Sequence, residues 1–235
     1  LSLRKKHDLF ILIRMWQKIF MKKKLSKKNI VITGASGDIA QALVQRLEDH
    51  NLILISRSLP QPVMPEKVDI LINNAGFGEF TELSNLTDEQ IDEMFKVNTL
   101  DLIKRTRDLQ PQLQVINIAS IAGKLPTAKS TVYAASKAAV LAFSDALRLE
   151  KPDLIVTTVN TGPVRTKFHK DNMDYLEKVG ENVVSAEYVA DKIEQVLGKN
   201  KRELNLPVQL AFVAKVRALF PSLVDNIGNR FFNYK

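Results

Sequence analysis

Residues Asn29–Ala40 read NIVITGASGDIA, an apolar run that passes directly into the glycines Gly34 and Gly37. A buried strand followed by glycines and a helix places free backbone N–H groups and a partial positive charge where phosphate can bind. Gly34 allows a sharp turn and Gly37 a close backbone approach, while Ala40 stands where the pattern accepts alanine as well as glycine. The stretch therefore predicts a phosphate-binding loop between a first strand and a first helix.

Asp38 is the unusual residue of this loop. In the first turn of a helix its charge favours the helix by up to about 1 kcal/mol, but facing a pyrophosphate it would repel the ligand. We expect the side chain to point away and to bond to backbone or solvent, so that main-chain donors bind the phosphates. The loop residues predicted to contact a dinucleotide are Gly34, Ser36, Gly37, Asp38 and Ile39.

Short apolar runs alternate with amphipathic stretches over the rest of the chain, a pattern typical of parallel strands joined by helices. Strands are predicted at 29–33, 52–56, 69–73, 114–119 and 154–160, and helices at 38–48, 87–109, 131–149 and 186–197. Thr87 and Ser185 are predicted helix caps, Thr87 in a capping box with Gln90. The expected fold class is α/β: a Rossmann-like, doubly wound parallel sheet in a single domain.

The basic charge is concentrated at one end of the chain. Residues 1–28 contain ten Lys/Arg and one acid, a charge of +9, whereas 29–235 carries −1 of the net +8. We therefore divide the chain into a basic leader, 1–28, and a domain, 29–235, and expect no nucleic-acid partner. The sequence has no cysteine, which excludes disulfides and Cys-ligated zinc and agrees with a cytoplasmic location. No metal site is predicted.

The leader permits two interpretations. Leu9, Ile13, Trp16 and Phe20 could form the apolar side of a basic helix that lies on an anionic membrane surface. Alternatively, the native chain begins at Met21 and the preceding residues are not part of it. We favour the second interpretation, so peripheral membrane contact is the less favoured prediction.

Candidate reactive residues lie at the ends of later strands and on one helix. Asn73–Gly76 ends the third predicted strand as NNAG, Ser120 follows the fourth, and Tyr133 and Lys137 begin a long helix in YAASK. Residues four apart lie on one helix face, so the Lys137 ammonium would favour the phenolate of Tyr133 and lower its pKa. This pair predicts a proton relay.

These motifs, in this order, resemble those of the short-chain dehydrogenase/reductase family from Asn29 to about Thr166. TGASGDIA resembles the family's nucleotide loop, NNAG its strand end, and Asn98, Ser120, Tyr133 and Lys137 its catalytic tetrad. TGPVRT, residues 161–166, resembles the segment that closes over the nicotinamide, with Thr161 where the family commonly has proline. The resemblance adds these predicted cofactor contacts: Asn74, Ala75, Gly76, Tyr133, Lys137, Gly162, Val164 and Thr166.

The resemblance implies hydride transfer between a nicotinamide and a substrate carbon. It implies that Tyr133 exchanges a proton with the substrate oxygen and that Ser120 polarises this oxygen. Lys137 would hold the ribose and tune Tyr133, while Asn98 would kink its helix and anchor a water. The implied partner is a small-molecule carbonyl or alcohol, and the implied assembly is a homodimer or homotetramer built on the Thr87 and Thr131 helices.

Arg57 follows the second predicted strand in ISRS. An acid at this place would bond the 2′-hydroxyl of NAD, whereas a cation accommodates the 2′-phosphate of NADP. Arg57 therefore favours NADP(H), with NAD(H) the less expected cofactor, and Ser56 or Ser58 could add a hydroxyl contact.

The chain departs from the family between Arg57 and Asp69, which eleven residues, SLPQPVMPEKV, separate. A crossover to another parallel strand needs about a dozen residues or more, and Pro60, Pro62 and Pro65 oppose both helix and strand. The family normally has a helix, a strand and a helix here. One unit at the sheet edge is therefore predicted to be missing, which makes the second strand an edge strand.

We thus predict an NADP(H)-dependent oxidoreductase acting on a carbonyl or secondary alcohol. The alternative is a catalytically weakened protein of the same fold that senses nucleotide or regulates. Beyond about residue 166 the periodicity weakens, which predicts a substrate or lid region. The apolar stripe within 212–232 could be a lid, a subunit contact or a membrane-facing surface, but we expect first that it packs against its own domain.

Overall fold

The computed structural model describes residues 25–168, 180 and 183–231, with side chains described as far as residue 226. The predictions for the leader therefore fall almost wholly outside the described residues. The strands are β1 (Asn29–Thr33), β2 (Asn51–Ile55), β3 (Ile70–Asn73), β4 (Gln114–Ile118), β5 (Ile155–Thr161), β6 (Val164–Arg165), β7 (Val184–Ser185) and β8 (Glu203–Leu206). The helices are α1 (Asp38–Arg46), α2 (Asp88–Phe95), α3 (Asp101–Leu109), α4 (Thr131–Glu150), α5 (Ala186–Glu194), α6 (Gln209–Leu219) and α7 (Pro221–Phe231).

The main sheet is parallel, with the strand order β2-β1-β3-β4-β5-β8. Its central strands are buried on both faces, which is why β1 and β3 are almost continuously apolar. Strands β6 and β7 form a separate small parallel sheet. The predicted parallel α/β sheet is confirmed.

Helices cover both faces of the main sheet. On one face, Leu43 of α1 and Ile193 of α5 belong to the core that includes Ile30 of β1. On the other face, Leu102 of α3 and Val140 of α4 form a second cluster. The chain is therefore a doubly wound, Rossmann-like domain, and the carboxyl ends of its strands lie along one edge where a ligand can bind.

The sheet ends at β2. It lacks the helix–strand–helix unit that the short connection between β2 and β3 has no room for. Strand β1 pairs directly with both of its neighbours, Ile30 lying opposite Leu52 of β2 and Ile70 of β3. Residues 56–69, which join β2 to β3, contain no helix or strand. Within the described residues β2 is an edge strand, and the predicted absence of an edge unit is confirmed.

The helix predicted at 87–109 is confirmed as an uninterrupted helical run over residues 88–109, and the kink implied at Asn98 coincides with a π-helical turn inside it. Thr87 and Gln90 form the expected capping box, and Ser185 likewise caps α5 by accepting from the Tyr188 N–H. Between α2 and α3, Lys96–Leu100 forms this π-helical turn. Such turns bend a helix by inserting an extra residue, and this one contains Asn98.

The prediction that the tail's apolar stripe packs against its own domain is wrong for most of the described stripe. Helix α6 buries Ala214, but Phe212, Leu219 and Phe220 are exposed. The physical reason is that α6 and α7 pack on each other, joined by the paired Arg217 and Asp225 side chains, while α6 contacts the rest of the domain at β8 and at the turn Ile121–Gly123. No helix in the described part of the chain is long and apolar enough to cross a membrane.

Candidate active site

The glycine loop lies between β1 and α1 at the carboxyl edge of the sheet. Gly34 has a φ of +64°, and a Cβ there would lie 2.7 Å from the Cα of Ala75. Gly37 is the N-cap of α1 and its N–H donates to the Gly34 carbonyl at 3.0 Å. No side chain of the described residues caps α1, so its first-turn N–H groups are available to an anion.

Asp38 and Ile39 begin α1. The Asp38 Oδ2 accepts a hydrogen bond of 2.7 Å from the backbone N–H of Lys167, which follows the 161–166 segment. The prediction that this carboxylate bonds to backbone or solvent is confirmed by its backbone partner, which connects the loop to the residues after the 161–166 segment. Ile39 is half-buried against the main core, so its side chain is structural and only its main chain faces the cleft.

The NNAG strand end lies directly against the glycine loop. Thr33 Oγ1 accepts from the N–H groups of Asn74 and Ala75 at 3.0 and 3.1 Å. The Asn74 side chain donates to the carbonyls of Thr33 and Gly34, both at 3.1 Å. Asn74 and Ala75 therefore hold the ends of β1 and β3 in register around the loop.

Gly76 marks the point where the loop meets the reactive residues. A Cβ at Gly76 would lie 3.1 Å from both the Asn98 Oδ1 and the Lys137 Nζ. Only a residue without a side chain allows these two polar groups to approach the end of β3 so closely. The structure thus brings Gly76, Asn98 and Lys137 together, as predicted.

Asn98 is fully buried in the π turn, and its side chain is committed to bonds with neighbouring segments. Its Oδ1 accepts from the Phe77 N–H at 3.0 Å, and its Nδ2 donates to the Phe77 carbonyl at 2.9 Å. The same Nδ2 donates to Ser136 Oγ on α4 at 3.0 Å. Asn98 therefore joins three segments: the residues after β3, the π turn and α4.

Lys137 is a buried cation at the centre of the site. Its Nζ donates to the Ile118 carbonyl at the end of β4, at 3.0 Å, and lies 6.0 Å from the centre of the Tyr133 ring. Burial disfavours the charged form and lowers the pKa of Lys137 to about 8. At neutral pH the ammonium is therefore still charged, in surroundings of low dielectric that strengthen its field.

Ser120 lies at the end of β4 and Tyr133 in the first turn of α4. The Ser120 Oγ accepts from the Ala122 N–H at 3.1 Å and donates to the Thr161 carbonyl at 3.3 Å. The turn at Ile121–Gly123 packs against α4, where a Cβ on Gly123 would lie 3.0 Å from the Ala138 nitrogen. This contact holds the end of β4 against the helix that carries Tyr133 and Lys137.

The ring of Tyr133 is 8% exposed and is contacted by two phenylalanines. The centres of the Phe80 and Phe168 rings lie 5.2 and 5.9 Å from that of Tyr133. The backbone passes close by at Gly78, where a Cβ would lie 2.8 Å from the Tyr133 ring. Phe80 and Phe168 were not predicted from the sequence.

The 161–166 segment lies opposite the glycine loop. The Gly162 N–H donates to the Leu206 carbonyl of β8, and Thr166 Oγ1 donates to the Val164 carbonyl at 3.4 Å. The Val164 side chain is buried in the main core, so only its main chain can contact a ligand. The segment after residue 168 falls outside the described residues until 183, apart from 180.

Arg57 follows β2 and is an exposed member of the predicted contacts. Its guanidinium is 86% exposed and pairs with Glu93 of α2, Nη1 to Oε1, at 3.1 Å. Beside it, the Ser56 Oγ donates to Ser36 Oγ of the glycine loop at 3.2 Å and lies 2.9 Å from Ser58 Oγ. Three hydroxyl groups therefore gather between the loop and the end of β2.

Some residues of the site carry no strong sequence signal. Ser136 accepts from Asn98 and donates to the Tyr133 carbonyl at 2.8 Å, and it lies inside the YAASK motif that drew attention to its neighbours. Thr33 likewise lies inside a motif noted for its neighbours, directly before the first glycine of TGASGDIA. Among the described residues, no group of three or more His, Asp or Glu is placed to hold a metal ion.

Comparison with known proteins agrees with this geometry. A model of the short chain dehydrogenase family matches residues 61–177, which begin inside the shortened β2–β3 connection. An uncharacterized oxidoreductase of Escherichia coli, YbbO, is 30% identical over 172 residues, covering 66% of this chain and 64% of the relative. A Dictyostelium discoideum protein named as dehydrogenase/reductase SDR family protein 7-like is 32% identical over 70% of this chain and 56% of its own. The chain thus spans less than two thirds of the length of these curated relatives.

Solved structures share the fold at lower sequence identity. A short-chain dehydrogenase from Sphingobium yanoikuyae in complex with NADPH is 22% identical, with a TM-score of 0.70 over 86% of this chain and 95% of that one. A short-chain dehydrogenase from Burkholderia cenocepacia in complex with NADP is 19% identical, with a TM-score of 0.71 over 88% and 98%.

Fold and site together define an α/β protein built to hold an anionic ligand at the carboxyl edge of a parallel sheet. More particularly, residues 61–177 match the short chain dehydrogenase family, and the chain is similar to proteins named as oxidoreductases or as members of that family over 66–70% of its length.

Proposed function

We propose that the protein is an NADP(H)-dependent oxidoreductase that transfers hydride between a nicotinamide and a carbonyl or secondary alcohol. The observation that carries this proposal is the meeting of Asn98, Lys137 and Gly76 beside an uncapped glycine loop. Tyr133 is carried on the same helix as Lys137, and Ser120 lies at the adjoining strand end. When bound, the nicotinamide would supply or accept the hydride.

The glycine loop fits a dinucleotide. Gly34 and Gly37 bring the main chain close to the cleft, and the first-turn N–H groups of α1 point to where a pyrophosphate would lie. The Asp38 carboxylate is held by the Lys167 N–H, which partly offsets its repulsion of an anion. Lys137 would bind the ribose hydroxyls, and Asn74 and Ala75 would hold the loop in shape.

Proton transfer is assigned to Tyr133. The buried ammonium of Lys137 stabilises the phenolate, so the Tyr133 hydroxyl can give its proton to a substrate oxygen during reduction and take it back during oxidation. Ser120 would turn its hydroxyl from the Thr161 carbonyl to the substrate oxygen and polarise it. Asn98 positions these residues by bracing Phe77 and α4.

The preference for NADP(H) rests on Arg57 and the hydroxyl groups of Ser36, Ser56 and Ser58. A 2′-phosphate placed among them would gain a guanidinium and several hydroxyl donors. Solved relatives carry NADPH, NADP or NADH, which supports a nicotinamide cofactor in general. Glu93 would have to share Arg57 with the phosphate.

Replacing Tyr133→Phe tests the reaction. The variant should keep its cofactor affinity but lose about 100-fold or more in kcat/KM, because a positioned proton donor contributes that much. NADPH absorbance followed with a panel of ketones measures the loss, and Tyr188→Phe, which changes a partly exposed tyrosine of α5, is the matched control. Undiminished turnover by the Tyr133 variant would remove the assignment.

A second candidate function is nucleotide sensing without efficient turnover. It is favoured by the missing edge unit, which leaves β2 at the sheet edge and removes protein that the family places near the adenine. Cofactor binding with no turnover in either direction, on a broad panel of ketones and alcohols, would support this candidate over the first.

We further propose a homodimer or homotetramer assembled through α2, α3 and α4. Leu100 and Leu149, at the ends of these helices, are 46% and 85% exposed in the single chain and would gain apolar contacts in such an assembly. Sedimentation equilibrium would measure the assembled mass, and a monomer at micromolar concentration would contradict the assembly.

The absence of cysteine supports a cytoplasmic location.

A further inference from the structure

Helices α6 and α7 expose more large hydrophobic side chains than any other part of the chain that the structure describes. Six such side chains lie within residues 208–223, with these exposed fractions: Val208 68%, Phe212 71%, Val213 39%, Leu219 74%, Phe220 58% and Leu223 57%. Soluble proteins rarely expose a contiguous apolar patch unless a partner covers it. This surface is therefore a candidate binding surface.

One side of α6 forms an apolar stripe around a cation. Val208, Phe212 and Leu219 lie on one helix face, because they are four and seven residues apart. Lys215 lies on the same face and is exposed. Together with two exposed residues at and after the end of α6, they form what we call the outer α6–α7 surface: Val208, Phe212, Lys215, Leu219, Phe220 and Leu223.

The opposite side of α6 fixes the helix on the domain. Ala214 is buried, and Leu210 packs on Gly162, where an added Cβ would lie 2.8 Å from the Leu210 Cδ1. The Arg217 Nη1 donates to the Lys124 carbonyl at 3.2 Å. The outer α6–α7 surface is therefore held facing away from the sheet.

The charges of this region are basic on balance. Residues 207–226 contain two cations, Lys215 and Arg217, and one acid, Asp225. Arg217 and Asp225 pair with each other, Nε to Oδ1 at 2.7 Å and Nη2 to Oδ2 at 3.0 Å. The outer α6–α7 surface thus presents apolar side chains together with the positive charge of Lys215, which suits a partner that is both apolar and anionic.

The residues outside the described ranges do not reverse this balance. Residues 1–24, 169–182 and 227–235 together contain twelve Lys/Arg and five acids. Of these segments, 169–182 is the acidic one, with four acids and two lysines. Coverage of the outer α6–α7 surface by the chain itself is therefore an alternative that the experiments below must separate.

We propose that the outer α6–α7 surface docks on an anionic lipid membrane. Basic helices with an exposed apolar side lie in the membrane interface, with the apolar side chains among the lipids and the cations at the headgroups. A second copy of the chain is a poorer occupant, because in a twofold arrangement this surface would meet itself and bring together two Lys215 side chains. The proposal does not depend on the reaction that the protein catalyses.

Vesicle binding by the full chain tests the apolar contribution. The wild type should bind vesicles of phosphatidylcholine with about 30% phosphatidylserine more tightly than pure phosphatidylcholine vesicles. Phe212→Ser and Leu219→Ser should each weaken binding to both kinds of vesicle about fivefold or more, because each removes an apolar side chain that docking takes out of water. Val63→Ser, at a 94% exposed side chain of the β2–β3 connection, is the matched control.

The basic leader also attracts anionic lipid, so the informative comparison is between variants that all carry it. No binding of the wild type, or losses by the α6 variants no larger than that of Val63→Ser, would overturn the proposal. Both α6 side chains are more than 70% exposed, so the substitutions should leave the circular dichroism spectrum unchanged.

Lys215→Gln tests the charge. It should weaken binding to the phosphatidylserine vesicles about fivefold and leave binding to pure phosphatidylcholine within about twofold, because only anionic lipid attracts the ammonium. Lys151→Gln, at an exposed lysine after α4, is the matched control. Equal effects of the two substitutions would contradict the role of Lys215.

A single label locates the contact. The sequence has no cysteine, so Leu219→Cys and Val63→Cys each supply one thiol for an environment-sensitive fluorophore. Phosphatidylserine vesicles should shift the emission of the label at residue 219 to the blue and leave the label at residue 63 unchanged. A shift at both residues, or at neither, would overturn docking through α6.

Two other occupants give different results without vesicles. A second copy would be shown by a mass in sedimentation equilibrium that Leu219→Ser lowers. Coverage by the chain's own residues would be shown by a label at residue 219 that already emits in the blue in the monomer. Either result would overturn the proposal.

Discussion

Lys137 is a buried cation, and its lowered pKa predicts how the free energy of unfolding depends on pH. Burial lowers this pKa to about 8, whereas an unfolded lysine titrates at about 10.4. Between these values the unfolded chain binds a proton that the native chain does not, so the free energy of unfolding rises with pH. Below pH 8 the native protein carries the full cost of the buried charge.

Lys137→Met removes this titration. The difference in unfolding free energy, wild type minus variant, should rise by on the order of 3 kcal/mol from pH 7 to above pH 10. Urea unfolding of both proteins across this range measures it, and the variant cancels alkaline effects on other groups. A difference that stays flat with pH would show that Lys137 is not buried as a cation.

The predicted preference for NADP(H) over NAD(H) depends on Arg57. Arg57→Ala should weaken NADPH binding by about tenfold or more, the scale of a charge-assisted pair with phosphate, and leave NADH binding unchanged. Glu93→Gln, which frees Arg57 from its present partner, should tighten NADPH binding by no more than about fivefold, because exposed ion pairs are weak.

Calorimetry with both nucleotides measures these changes. Arg107→Ala removes another exposed, acid-paired arginine and is the matched control. Equal weakening of NADPH and NADH binding by Arg57→Ala would contradict the role assigned to the guanidinium.

Spacing in the sequence predicted that Tyr133 and Lys137 lie close together, whereas Asn98 was included only through the family resemblance. Tyr133 and Lys137 are four apart on a helix, so their common face follows from helix geometry. The hydrogen bonds of Ser136 with Asn98 and of Thr33 with Asn74 were not predictable, because they join residues far apart in the chain. For Asp38, a bond to backbone or solvent was predicted, but the identity of its partner, the Lys167 N–H, depends on the tertiary fold.

At the scale of elements, the π turn is the feature that periodicity could not reveal. The apolar spacing of α2 continues into α3 and predicts one helix, but it does not show the π turn inside this helix, which contacts of Asn98 with Phe77 and Ser136 stabilise. Strand β8 was missed for a related reason: ELNL is short and partly polar, and it becomes a strand by pairing with β5. Strands β1 to β5 were predictable because buried parallel strands are almost continuously apolar.

Asn98→Ala tests whether this side chain holds the π turn and the residues after β3. Removing it leaves the partly buried N–H and carbonyl of Phe77 and the buried Ser136 hydroxyl without their partner, which should lower the unfolding free energy by about 2–4 kcal/mol. Urea unfolding measures the loss, with Asn85→Ala, an exposed asparagine, as the control. A loss no larger than that of the control would contradict the bracing role.

At the scale of the whole molecule, the short connection between β2 and β3 was enough to predict the sheet edge, but the positions of α6 and α7 were not predictable. Too few residues separate β2 from β3 for another strand, so the shortened sheet edge could be predicted without any structural information. The placement of α6 and α7 could not, because an apolar stripe predicts that a surface is buried but does not identify what covers it. The resulting molecule carries the four predicted reactive residues on a parallel sheet that ends at β2.

Calorimetric titration of the purified chain with NADPH and with NADH tests the central claim most directly. The glycine loop, Arg57 and the three neighbouring hydroxyl groups predict one site per chain for NADPH, bound about tenfold or more tightly than NADH. Tighter binding of NADH would contradict the cofactor preference alone. No binding of either nucleotide would contradict both the oxidoreductase and the nucleotide-sensing function.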